Sequence, residues 1–174
     1  MKPEELRAIQ QPLKQRYQDE PAAALVTLEA DGSLDDGVAC SVNTGRALVQ
    51  AGLHPASGGT GRLACSGDML LQALVACAGV TMRAVATSLG LAVSGAVHAE
   101  GDLDFRGTLS VDKEAPVGFT AIRLKFALET DADEGQLATL LRLTERYCVV
   151  FQTLAGSPAL SVTRSPARRS GFGG

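Results

Sequence analysis

Between Ser66 and Gly90 the chain is apolar on nearly every side of a helical wheel. The stretch MLLQALVACAGVTMRAVATSL is interrupted chiefly by Gln72, Thr81 and Arg83. A helix of about six turns there has no polar face to give to water and must pass through the middle of a core. Ser66 offers an N-cap with Asp68 in the first turn, and Gly90 suits the position just past the last turn. The rest of the fold has to cover this helix, and one small sheet is too little. With Leu70, Leu74, Val75, Val80 and Val85 distributed around it, a homodimer that buries the remaining surface is the simplest solution.

The flanking patterns supply the cover. Residues 3–17 carry Leu6, Ile9, Leu13 and Tyr17 on a helical stripe, with Pro12 expected to kink or end it. Three short strands follow, at Ala23–Glu29, Val38–Asn43 and Arg46–Ala51, separated by turns at Asp31-Gly32 and Thr44-Gly45. The segment LHPASGGTG reads as a connector, since it lacks the glycine spacing of a phosphate loop. After the central helix come strands at about Val93–Phe105 and Thr120–Glu129. In the second, Ile122, Leu124, Phe126 and Leu128 alternate with Arg123, Lys125 and Ala127, so one face is on the core and the other in water. A second long helix runs from near Asp133 to Leu154, with Leu137, Leu140, Leu141, Thr144, Cys148 and Phe151 repeating at three and four, which puts Cys148 on its buried face. A last strand, Ala159–Thr163, precedes the basic, glycine-rich tail 164–174, expected to be flexible. The class is α+β, an antiparallel sheet packed on two long helices. Its 174 residues form a single domain, with 1–20 as an N-terminal helical arm.

Charge and cysteine spacing exclude several classes of function. A net charge of -3 gives no electrostatic reason to bind nucleic acid or an anionic membrane. The N-terminus has no uninterrupted apolar run, and no segment reaches the length of a membrane span free of polar residues, so a cytoplasmic location is expected. Four cysteines, Cys40, Cys65, Cys77 and Cys148, are too few and too scattered for a stapled secreted domain. There is no Cys-x-x-Cys pair, and His54 and His98 fall at no ligand spacing, so neither metal nor other cofactor is expected.

Cys77 and Cys148 each sit on the buried part of the two longest helices, the elements best suited to pack on one another. They form a candidate redox pair. A cysteine in a run such as LVACAGV is also a common small core residue, and the pattern by itself leaves both readings open. Cys40, on a strand face with Val38 and Val42, reads as core, and Cys65 as a loop residue; neither has an assigned role.

Three stretches carry a resemblance. SGDMLLQALVACAGVTMRAVATSLGL is similar to the central helix of the OsmC/Ohr family, GDLDFRGTLSVDKEAPVGFTAIRLKFALET to its second hairpin, and LTERYCVVFQTLAG to the helix with its second cysteine. The resemblance covers residues 25–163. It implies an OsmC-like fold, an intertwined homodimer with active sites at the subunit interface, a peroxidatic Cys77 and a resolving Cys148. The implied activity is reduction of organic hydroperoxides: Cys77 is oxidised to a sulfenic acid, Cys148 captures it as a disulfide, and an external dithiol reduces the disulfide. Burial raises a thiol's pKa, so this chemistry calls for a cation near Cys77. The family uses an arginine from a turn of the N-terminal meander, which places Arg46 of VNTGR in that role, with Arg62 and Arg83 as substitutes.

The sequence departs from the pattern at Gly67, ten positions before Cys77, where the family carries an acidic residue. Asp68 is adjacent. Nine residues of regular helix place its side chain about 180° around and roughly 13 Å along the axis from Cys77, so it reads as a helix N-terminal charge. The departure keeps a second reading open, a non-catalytic or redox-sensing dimer of the same fold that binds a small apolar ligand.

Overall fold

A computed structural model of the chain describes residues 3–35, 39–42 and 51–163. The arm is α1 (Pro3–Asp19), which continues through Pro12 instead of ending there. Docking explains this: Leu13 and Tyr17 pack with Ala24, Phe105 and Leu109, and the Tyr17 hydroxyl donates to the Ala56 carbonyl at 2.6 Å. Contacts at the C-terminal half of the helix offset the one backbone bond that proline removes.

The strands β1 (Leu25–Asp35) and β2 (Ala39–Val42) follow. The turn expected at Asp31-Gly32 is absent, because β1 runs straight through it. Gly32 lies opposite Val42 on one side and Val97 on the other, so pairing on both edges overrides local turn chemistry. Of the expected third strand, only Ala51 is among the described residues. It belongs to β3 (Ala51–Gly52), which pairs in parallel with β4 (Ala64–Cys65) and ties the loop between them to the start of the central helix.

That helix is α2 (Ser66–Leu89), with Cys65 rather than Ser66 at the N-cap, and Gly90 closes it in the left-handed conformation at φ 68°. Only a residue without Cβ adopts this freely. By length and composition α2 is apolar enough to cross a membrane despite Gln72, Thr81 and Arg83, yet Leu71, Leu74, Val75, Ala78, Met82, Val85 and Ala86 are buried within the chain's own core. Leu70 and Val80 stay exposed. Of the residues expected to need a partner, Leu74, Val75 and Val85 are therefore covered by the single chain.

Next come β5 (Ser94–Asp104), the single turn α3 (Phe105–Thr108) and β6 (Phe119–Glu129). The sheet is antiparallel in the order β2-β1-β5-β6. Val97 and Ala99 face α2, with Leu103, Ile122, Leu124 and Phe126 beside them. Gly101 has no side chain because a Cβ there would lie 2.6 Å from the Phe119 ring. The opposite face carries a charge ladder in which Arg123 bonds Glu100 at 2.7 Å and Asp102 at 2.5 Å, with Lys125 on Glu100 at 2.9 Å.

The second long helix is two helices, α4 (Glu134–Tyr147) and α5 (Val149–Gly156), meeting at Cys148. A capping box of Asp133 and Gln136 starts α4. The final strand expected at Ala159–Thr163 does not form: these residues have no ladder partner among the described residues, and Leu160 and Val162 are exposed. The tail 164–174 lies outside the described residues.

Candidate active site

Cys77 lies midway along α2 and Cys148 at the junction of α4 and α5, where both helices pack on α2. Cys148 adopts φ -71° and ψ 107°, extended backbone that ends one helix and caps the next. Its N–H still donates to Thr144 at 2.9 Å as the last bond of α4, and its sulfur accepts from the Phe151 N–H at 3.5 Å as the N-cap of α5. The Gln152 side chain reaches back to the Glu145 carbonyl at 2.9 Å, satisfying an acceptor that the break leaves open. No proline or glycine marks this break in the sequence.

The break frees the first amides of α5, and they are aimed at Cys77. Burial acts most strongly on the Cys77 thiol and pushes its pKa up. Hydrogen bonds from the Val150 N–H, the Cys148 thiol, the Val149 N–H and the Thr81 hydroxyl together outweigh burial, and the net shift is downward. Cys148 goes the other way: burial pushes it up to about 11, and its bond to Cys77 adds to the rise. The pair therefore holds one proton less firmly at Cys77 and keeps one at Cys148, which donates it toward Cys77. A thiolate with amide donors beside a protonated second thiol suits nucleophilic attack followed by disulfide closure. Both are free thiols, Cys148 fully buried and Cys77 half-buried.

Of the residues singled out in the sequence, the fold thus brings Cys77 and Cys148 together. Arg46 lies outside the described residues, as do its immediate neighbours. Arg62 is exposed in the loop before β4, and Arg83 donates from its guanidinium to the Val93 carbonyl at the far end of α2. Asp68 stands inside α2, in its first turn, as the helix-terminal reading expects; burial raises its pKa, opposed by the charge of His54. Cys65 is half-buried at the N-cap, about 18 Å along the axis from Cys77. It borders, with His54, Gly67 and Phe105, a separate cavity of about 400 Å³. The sequence reading missed the α5 amides and Thr81. Thr81 was legible in principle, four residues after Cys77 on the same helix face.

A family model for OsmC-like proteins matches residues 59–163, more than half of the chain and all of the elements that build this site. The chain belongs to the OsmC-like family. As an OsmC-like protein it is similar in fold to the crystal structure of an OsmC-like hydroperoxide resistance protein from Jannaschia sp. CCS1. The two are 14% identical, and the likeness spans 84% of this chain and 97% of that one at a TM-score of 0.53. At that identity the likeness speaks to fold alone. No curated protein matches the chain.

Proposed function

We propose that this OsmC-like protein is a thiol-dependent peroxidase for organic hydroperoxides, working as a cytoplasmic homodimer without a cofactor. The observation that carries the reading is the contact between Cys77 and Cys148 at the start of α5, with opposite shifts on the two thiols. The Cys77 thiolate attacks the terminal oxygen of the hydroperoxide. The O–O bond breaks, its electron pair leaves on the alkoxide oxygen, which takes a proton from solvent to become the alcohol, and Cys77 becomes a sulfenic acid. Cys148 then attacks the Cys77 sulfur, water leaves carrying the Cys148 proton, and a Cys77–Cys148 disulfide forms. An external dithiol restores both thiols. Arg46 is assigned the cation that receives charge from the departing oxygen. The family's acidic position is Gly67 here, so the α5 amides carry more of the thiolate stabilisation than the cation alone would.

A stoichiometric hydroperoxide added to the reduced protein tests this. Loss of two thiols per chain, with mass spectrometry locating an intrachain Cys77–Cys148 bond, is the expected result, and Arg46→Ala should slow it on the order of 10²-fold. A wild-type protein that consumes no peroxide defeats the reading and leaves the redox-sensing or binding alternative that Gly67 supports.

A further inference from the structure

A helix that stops and restarts at one residue strips the next amides of their carbonyls. With Cys148 extended, the Val149, Val150 and Phe151 N–H groups lose the Glu145, Arg146 and Tyr147 carbonyls that a continuous helix would give them. Their partners are sulfurs instead. Val149 and Val150 donate to Cys77, and Phe151 donates to Cys148 at 3.5 Å. The regular pattern resumes with the Gln152 N–H on the Cys148 carbonyl at 2.9 Å.

Sulfur is a weak acceptor, and α5 contains no fully buried residue whose packing would hold the break open. The sequence supplies neither glycine nor proline there. Something else has to keep α4 from continuing into α5, and the Gln152 side chain is placed to do so. Its Nε2 donates to the Glu145 carbonyl at 2.9 Å. That carbonyl is the acceptor that the Val149 N–H would take in a continuous helix, so a return of Val149 to it would have to displace or share the Gln152 bond.

We propose that Gln152 is a positioning residue: standing in for the Val149 N–H on the Glu145 carbonyl, its side-chain amide keeps the α4–α5 break open and the Val149 and Val150 N–H groups on the Cys77 sulfur. The inference rests on Cys77 being the reactive thiol, as proposed above, but not on which oxidant that thiol meets. Gln152 acts through the backbone of α5 and takes no part in the chemistry itself.

Gln152 is exposed, and Gln152→Met keeps the unbranched side chain and the helix propensity while removing the donor. Iodoacetamide labelling of the reduced variant, read at Cys77 by peptide mapping, should shift to higher pH. At neutral pH it should fall several-fold, and by no more than the roughly tenfold of losing one bond to a charged group. The carbon-13 shift of the Cys148 Cα, extended in wild type, should move toward helical values. In a Val149→Pro background position 149 has no N–H to withdraw, and the proline keeps Cys148 extended, so adding Gln152→Met should change neither reading. Wild-type labelling in Gln152→Met, slowed labelling with Cys148 still extended, or further slowing in the double variant each overturns the proposal. So does wild-type labelling in Val149→Pro, because Gln152 would then have no donor to hold in place. No hydroperoxide enters these measurements. A chain that passes them yet consumes no peroxide defeats only the peroxidase reading, and one that consumes peroxide while Gln152→Met labels like wild type defeats only the role of Gln152.

Discussion

At Cys77 burial and hydrogen bonding oppose one another, and the outcome depends on how many donors reach one sulfur. Thr81 is the donor easiest to remove, because Thr81→Val keeps the branched shape and deletes only the hydroxyl. A neutral donor to a thiolate is worth about 1 kcal/mol, so we expect the Thr81→Val thiol to ionise at higher pH and to be oxidised several-fold more slowly at neutral pH. The pH dependence of iodoacetamide labelling at Cys77 measures this directly. A rate profile unchanged from wild type would remove Thr81 from the site. Cys148, pushed up to about 11, should resist the same reagent until strongly alkaline pH.

The start of α5 does what no single residue does, since it presents two orphan amides to Cys77. Proline is well suited to the first helical position, where its missing N–H breaks no helical bond, and Cys148 before it is already extended. Val149→Pro should therefore keep the fold while deleting one donor, raising the Cys77 pKa and slowing its oxidation about tenfold, the magnitude of one bond to a charged group. Circular dichroism unchanged beside a slowed rate is the expected pair of results. A slowed rate with lost helix would mean only that the junction had been disrupted. This element was half legible in the sequence. The 3.6-residue periodicity from Leu137 to Phe151 placed Cys148 on the buried face, but periodicity alone does not show a one-residue break with neither glycine nor proline in it.

For the whole molecule, the charge ladder on the open face of the sheet links stability to pH. Arg123 first, then Lys125, holds Glu100 down at about 2 from its ordinary 4.5, and Arg123 likewise lowers Asp102. A carboxylate whose folded pKa is depressed stabilises the fold above its unfolded pKa and loses that contribution as pH falls through the folded value. Urea unfolding of wild type and Arg123→Gln should thus differ above about pH 5 and converge as the pH approaches 2. A difference that persists undiminished in acid would mean Arg123 acts by packing. The proposed dimer belongs to this scale too. Leu70 and Val80 remain exposed, as do Met69 and Leu89, while Leu71, Leu74, Val75, Met82 and Val85 of the same helix are buried. Light scattering at micromolar concentration should give twice the chain mass, and Leu70→Arg with Val80→Arg should reduce it to one.

Hydrophobic periodicity determined α2, β5 and β6 and the buried face of the segment that follows them. An apolar helix has to be a core helix, and Ile122, Leu124 and Phe126 alternating with Arg123 and Lys125 have to form a strand with one wet face, because each pattern follows from burying one kind of surface and solvating the other. Local signals failed where pairing or docking outweighed them. Gly32 sits in a strand because two neighbours hydrogen-bond it, Pro12 sits in a helix because Tyr17 anchors the turns beyond it, and residues 159–163 lack a strand because a ladder needs a partner. The site divides in the same way. Cys77 and Cys148 were visible as residues, and Arg46 as a candidate by resemblance. The difference between the two thiols came only from the tertiary structure, because a pKa is set by the donors within a few ångströms of the sulfur. Those donors, the amides of Val149 and Val150, become available when the chain stops being helical at Cys148.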